Sequence, residues 1–261
     1  MTTTPTLWLS EQQANTVDAG INGKHQDDIQ LVGLANGNFI ALWESNTDEG
    51  AGVDEGTDII GQLYNAEGNA IGGEFQANDF FATDASNHEA AALPNGNFVV
   101  VYEDRTIVGA SLEYTIRDAN GGLVTSGTIA RDRGDTGLGD PSVTVNVDGS
   151  FLVAYQERNS EANTTGTLGV IVQSDGITVG EPIFGAADST EVGTPQVDVA
   201  TLTNGNYVII SRRRARTMAW PCASSHQQEP TCSASRTSPT PSPTATMTPH
   251  RRSLRSAAAA M

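Results

Sequence analysis

The chain has 261 residues, a formal net charge of −17 at pH 7, 27 glycines and two cysteines. So acidic a balance repels nucleic acid and anionic membrane surfaces and favours solubility and cation uptake. No apolar run approaches the roughly 18 residues that span a bilayer, and residues 1–9 lack the basic and apolar regions of a cleavable signal peptide.

Charge divides the chain near residue 211. Residues 1–211 hold 30 of the 31 Asp and Glu but only six of the 14 Lys and Arg. Both cysteines, Cys222 and Cys232, lie beyond that point, so the acidic body has no disulfide and no thiolate metal site. Their absence does not place the body inside a cell, because bound calcium can take over the role of a staple.

In chain order, a lead segment (1–26) precedes four copies of one phrase. These are Leu34-Ala35-Asn36-Gly37-Asn38-Phe39, Leu93-Pro94-Asn95-Gly96-Asn97-Phe98, Val147-Asp148-Gly149-Ser150-Phe151 and Leu202-Thr203-Asn204-Gly205-Asn206-Tyr207. The turn glycines are 59, 53 and 56 residues apart, a period that signals stacked supersecondary units. Repeats are therefore placed at 27–80, 81–134 and 135–190, with a truncated fourth at 191–211 and a low-complexity tail at 212–261.

Asn-Gly or Asp-Gly between β-rich runs predicts a hairpin with a type I′ turn. The run after each turn, such as Phe98-Val99-Val100-Val101-Tyr102, is apolar without alternation. A strand of that kind is covered on both faces. A second hairpin signal follows in each repeat, at Asn65-Ala66-Glu67-Gly68, Asp118-Ala119-Asn120-Gly121 and Ser174-Asp175-Gly176, which gives four strands per repeat. The expected fold is all-β, with repeated four-stranded antiparallel blades forming an incomplete β-propeller. Tandem β-sandwiches are the alternative, although about 55 residues is short for one.

The fourth repeat stops at Tyr207-Val208-Ile209-Ile210, where Ser211 replaces the aromatic expected four places after Tyr207. The tail that follows is rich in Arg, Ser, Thr, Pro and Ala, and its composition predicts disorder. Back-translating it and reading from the third base of each codon permits Gly-Leu-Ala-Leu-Arg-Ile-Phe-Thr-Pro-Ala-Gly-Thr across residues 218–231, the second hairpin of a repeat. Residues 248–261 likewise permit the opening of a fifth repeat. Both fall in register with the period, so the tail is read as a frameshift and the array as truncated. An array cut there is expected to lack a third strand in its last sheet and to leave an apolar face of the third repeat exposed.

Chemical signals are sparse. His88-Glu89-Ala90-Ala91-Ala92 begins like a zincin helix, but Ala92 stands where the second histidine belongs and the segment reads as a strand. No nucleophile elbow and no phosphate-cradling glycine loop occurs. A glycosidase-type carboxyl pair can lie anywhere among 30 carboxylates without showing in sequence spacing. Arg133-Gly134-Asp135 is a three-residue match to a receptor-binding tripeptide, of a kind that chance supplies. The acidic stretch from Asn46 to Asp58 offers Asp48, Glu49, Asp54, Glu55 and Asp58 as oxygen ligands for calcium. A second acidic loop spans residues 132–140.

Asn95-Gly96-Asn97-Phe98-Val99-Val100-Val101-Tyr102-Glu103 and the segment from Ile59 to Asn78, Ile-Ile-Gly-Gln-Leu-Tyr-Asn-Ala-Glu-Gly-Asn-Ala-Ile-Gly-Gly-Glu-Phe-Gln-Ala-Asn, resemble the repeats of large bacterial secreted RTX-type surface proteins and adhesins. The resemblance covers about residues 27–211. It implies calcium binding, export to the medium or cell surface, and a protein or carbohydrate partner, with neither nucleic-acid binding nor membrane insertion. The Gly-Gly-x-Gly-x-Asp nonapeptides and the export signal of those proteins do not occur here. The expectation is a non-catalytic binding or spacer module, not an enzyme. The alternative is part of a secreted, propeller-type, glycosidase-like hydrolase.

Overall fold

The computed structural model describes residues 14–15, 26–46, 56–79, 82, 84–106, 109–132, 136–159, 164–187, 196–211 and 218–220. They form fifteen strands and, among the described residues, no helix. The first sheet runs β1 (Gln26–Gly33), β2 (Phe39–Asn46), β3 (Thr57–Tyr64) and β4 (Ala70–Gln76). The second comprises β5 (Ala85–Ala92), β6 (Phe98–Thr106), β7 (Gly109–Arg117) and β8 (Leu123–Arg131). In the third are β9 (Thr136–Val145), β10 (Phe151–Asn159), β11 (Thr164–Val172) and β12 (Ile183–Ala187). The fourth holds β13 (Val197–Thr201), β14 (Tyr207–Ser211) and β15 (Met218–Trp220). Every sheet is an antiparallel meander with its strands in chain order. This is an incomplete β-propeller of four blades, and not a row of sandwiches.

The second strand of each blade explains why the blades stack. Phe98, Val100 and Tyr102 of β6 enter the core shared with Ile40, Leu42 and Leu63 of the first blade. Val99 and Val101, on the opposite face, join Phe151, Val153 and Tyr155 of the third. All five β6 residues are buried, so the unbroken apolar run serves two interfaces at once. Each Å² of apolar surface covered on these shared faces contributes about 25 cal/mol. The first blade turns its own aromatic face, Phe39, Trp43 and Tyr64, away from the second. There Phe39 stacks on Tyr64 with centroids 5.1 Å apart, and the Tyr64 hydroxyl donates to the Ala14 carbonyl. At the arc's two ends, Ile29 and Leu31 of β1 are 70% and 66% exposed, and Ile210 of β14 is 52% exposed.

The turns differ from the type I′ expectation. Only the glycine of each phrase has positive φ: Gly37 at 86°, Gly96 at 90°, Gly149 at 88° and Gly205 at 80°. Gly96 N–H donates to the Leu93 carbonyl and Leu93 N–H to the Asn97 carbonyl, at 3.0 and 2.8 Å. The loop is thus a type I turn closed by a left-handed glycine, the three-residue hairpin rather than the two-residue one. Its Asn or Asp has a different task. The side-chain oxygens of Asn36, Asn95, Asp148 and Asn204 each accept the N–H two residues on.

The end of the array also differs. Met218–Trp220 supplies a third strand to the last sheet from beyond residue 211, pairing Tyr207 with Trp220 and Ile209 with Met218. That sheet covers the third blade. Thr144 Oγ1 lies 3.0 Å from Thr201 Oγ1, and Ser150 Oγ 3.5 Å from the Tyr207 hydroxyl. The Ile209 and Leu152 side chains both approach Gly169. The outer face of the third repeat is therefore packed. The rest of 212–261 lies outside the described residues.

A buried cation fastens the second blade to the link that precedes it. Arg117 donates to the carbonyls of Ala77, Asn78 and Gly121 at 2.9, 2.8 and 3.1 Å, with its guanidinium 5.8 Å from the centre of the Phe75 ring. Three carbonyl acceptors and an aromatic face make burial of the charge tolerable.

Candidate functional site

The first strands β1, β5, β9 and β13 pack against one another in turn around the blade axis. Three of them carry a bulge at the same place. The ladder shifts between Asp27 and Gln30 in β1, between Ser86 and Glu89 in β5, and opposite Ala154 and Gln156 in β9. At each bulge an Asp or Asn adopts positive φ: Asp28 at 57°, Asn87 at 51° and Asp140 at 49°. Short polar residues tolerate this left-handed state where branched ones do not. Each stands nine residues before its turn glycine. Two residues further on, the equivalent positions are Gln30, Glu89, Ser142 and Asp198. The repeat thereby brings one polar side chain per blade to the axis, and the second and fourth blades contribute carboxyls.

Glu89 is the distinctive group of this row. Burial pushes its carboxyl above the ordinary range, opposed by a hydrogen bond from Gln30 and by His88, and reinforced by the Asp198 and Asp28 carboxylates. Gln30 Nε2 donates to Glu89 Oε2 at 2.7 Å and orients the carboxyl. A carboxyl whose proton affinity is raised by burial, with further carboxyl groups beside it, is the kind of setting that acid–base chemistry at a glycosidic bond uses.

A second glutamate row lies one strand out, at Glu44 of β2 and Glu103 of β6, each seven residues after its turn glycine. Each reaches to the bulge of the next blade. Glu44 Oε1 accepts the Asn87 N–H, and Glu103 Oε1 accepts the Asp140 N–H at 3.1 Å. Beside Glu44 lies His88, whose side chain is 0% exposed and whose Nδ1 stands 3.7 Å from Glu44 Oε1. Among the described residues, neither ring nitrogen of His88 has a hydrogen-bond partner. Asp28, Glu44 and His88 bring ligand atoms within 4.8 Å of one another.

Farther from the axis, a cleft of about 430 Å³ opens on the second blade, lined among others by Asp79, Tyr102, Asp104, Glu113, Thr128 and Arg131. Burial raises the Glu113 carboxyl, against hydrogen bonds from Ser111 and Thr128 and the Arg131 guanidinium. Arg131 lies 3.7 Å from Glu113.

Of the calcium ligands expected from sequence, Asp48, Glu49, Asp54 and Glu55 lie outside the described residues. Asp58 is the second residue of β3, and its Oδ1 accepts from Gln76 Nε2 at 2.8 Å and Asn78 Nδ2 at 2.9 Å. Asn78 is fully buried and returns a hydrogen bond by accepting the Ile59 N–H at 3.0 Å. Asp58 thus knits the edge of the first blade. Arg133, Gly134 and Asp135 also lie outside the described residues, and Asp140 belongs to the bulge of β9. The axial row was missed because its members share a register and not a residue type. Counting back from each turn glycine is the signal that finds it.

No family model and no curated protein matches the chain. Solved structures do. A protein of unknown function from Dyadobacter fermentans DSM 18053 is 9% identical at a TM-score of 0.54, over 76% of this chain and 65% of that one. The α-L-arabinofuranosidase Arb93A from Fusarium graminearum is 11% identical at 0.51, over 74% and 61%. The polysaccharide lyase Uly1 is 13% identical at 0.50, over 80% and 49%. The chain spans about half to two thirds of the length of these structures. At such identities the likeness is one of fold. It corrects the expectation of a non-catalytic module that is not an enzyme, because the fold is shared with carbohydrate-active enzymes. No helix among the described residues is long and apolar enough to cross a membrane.

Proposed function

We propose that this chain is part of a propeller-type, glycosidase-like hydrolase acting on neutral glycans, with its chemistry at the blade axis. The observation that carries this reading is Glu89, a carboxyl held in an acid-favouring site by burial, oriented by Gln30, and faced by carboxylates of two other blades. In this reading Glu89 gives its proton to the leaving oxygen as the anomeric C–O bond breaks. Asp198 takes a proton from the water that attacks the anomeric carbon. Positioned proton transfer of this kind contributes about 10²–10⁴-fold to rate.

Charge favours a neutral substrate and hydrolysis over elimination. Lyases act on uronates and need a cation to neutralise the sugar carboxylate. Of the six basic residues before position 212, Arg105 is paired with Glu103, Arg117 with backbone carbonyls and Arg131 with Glu113. A body with 30 acidic residues repels a polyuronate.

The test is release of reducing ends from a panel of neutral polysaccharides by the full chain, with Glu89→Gln, Asp198→Asn and Glu113→Gln in parallel. The reading requires activity that falls about 10²-fold or more in Glu89→Gln and Asp198→Asn and persists in Glu113→Gln. Activity abolished only in Glu113→Gln would move the chemistry to the peripheral cleft. Absence of cleavage, or full activity in Glu89→Gln, would reject it.

A further inference from the structure

We infer that Asp28, Glu44 and His88 form a binding site for a divalent transition-metal ion of the zinc class, which clamps the first two blades together. The three ligands come from β1, β2 and β5, so an ion held among them bridges both blades. Two carboxylates and an imidazole, with ligand atoms within 4.8 Å of one another, are the donor set of such an ion. Calcium takes six to eight oxygen ligands and has little use for an imidazole nitrogen.

The buried histidine is the independent sign of a ligand. A neutral imidazole carries one donor and one acceptor. Enclosing both without a partner has a desolvation cost that native interiors rarely leave unmet. In His88 the side chain is 0% exposed, neither nitrogen is hydrogen-bonded among the described residues, and Nδ1 lies 3.7 Å from Glu44 Oε1. That distance is too long for a hydrogen bond and close to the separation of about 3.4 Å between two ligands of one tetrahedral ion with bonds near 2.0–2.1 Å. Asp28 is exposed and can swing the remaining distance. This is not the zincin arrangement, which places two histidines a helical turn apart. Here the ligands lie on three strands, and the bulges of β1 and β5 set their register.

Such a clamp suits a body without cysteines, since a metal bound only by the folded state stabilises it by linkage. It also goes beyond the hydrolase reading: it requires neither Glu89 nor Asp198, although it shares Asp28, whose carboxylate also faces Glu89. The tail offers competing ligands in Cys222, Cys232, His226 and His250. The experiment is therefore zinc titration by calorimetry on the full chain carrying Cys222→Ser and Cys232→Ser, with melting followed in zinc and in chelator. In that background one zinc per chain and a melting point several degrees higher than in chelator are expected. His88→Gln should abolish both effects. Asp28→Asn, at an exposed position, should weaken binding at least tenfold without lowering the melting point in chelator. No zinc uptake in the cysteine-free background would overturn the site. Uptake unaltered by His88→Gln or by Asp28→Asn would do the same.

Discussion

Two junctions in this molecule are built to one plan and finished differently. Between the second and third blades, Glu103 is buried and fully answered. Its Oε1 takes the Asp140 N–H, and its Oε2 takes Arg105 Nε and NH2 at 3.0 and 2.7 Å. Between the first and second blades, Glu44 takes the Asn87 N–H in the same way. The other positions have changed. Asn46 stands where Arg105 does, His88 where Pro141 does, and Glu89 where Ser142 does. One junction is neutralised and sealed, whereas the other gathers a histidine and three carboxyls, Asp28, Glu44 and Glu89, and, among the described residues, no arginine. The backbone device is structural in both. Chemistry enters where the repeat departs from its own neutralising pattern.

The largest effect is expected from removing the sealed lock. Glu103→Ala leaves a half-buried Asp140 N–H without its acceptor and frees Arg105, at a cost of about 3 kcal/mol. For a domain of this size that lowers Tm by roughly 6–12 °C. Glu44→Ala, at the less buried junction, should cost only about 1 kcal/mol. Equal melting points for the two variants would show that the junctions do not differ in the way described.

Arg105→Gln is next. It leaves Glu103, which is 1% exposed, without its partner, while the Arg105 side chain itself is 55% exposed. About 1–2 kcal/mol should be lost, measured by urea unfolding.

Glu89→Gln tests the open junction with the opposite sign. A carboxyl whose folded pKa is raised stabilises the fold fully only when protonated, and that contribution is lost as pH rises through the folded value. The neutral glutamine escapes this loss. Glu89→Gln should melt higher than wild type at neutral pH, with the gain shrinking toward zero below the ordinary carboxylate range. Stability bought at the expense of activity is the usual signature of a functional group. A destabilised Glu89→Gln at neutral pH would argue for a purely structural glutamate.

The smallest effect concerns the bulges. Asn87→Gly and Asp140→Gly keep the left-handed backbone and should change stability by less than about 1 kcal/mol. Asn87→Val should lose about 1–2 kcal/mol, since a branched side chain resists φ of 51°. Similar melting curves for the glycine and valine variants would mean that the bulge relaxes.

The architecture was legible because each blade is specified locally. The turn phrase, the unbroken Phe98–Tyr102 run and the second hairpin all recur with the period, and each has a short-range physical cause. The turn type was misread because Asn-Gly alone does not distinguish a two-residue from a three-residue loop. Here the asparagine is used for its side-chain acceptor and only the glycine for its φ. The third strand of the last sheet was missed because Met218–Trp220 lies past an abrupt change of composition. The axial site was hidden for another reason. Gln30, Glu89 and Asp198 are 59 and 109 residues apart in the chain. Only the bulged register of the first strands brings them to one place, and bulges leave little trace in a hydrophobic pattern.

The account's central claim is that Glu89 is an acid made by its surroundings, and its titration in the folded protein measures this directly. Following the side-chain carboxyl carbon by NMR in ¹³C-glutamate-labelled protein, with Glu89→Gln to assign the resonance, should give a midpoint above the ordinary 4.5. Asp198→Asn should lower that midpoint by removing a neighbouring negative charge. A midpoint at or below 4.5, or one indifferent to Asp198→Asn, would contradict the proposed active site.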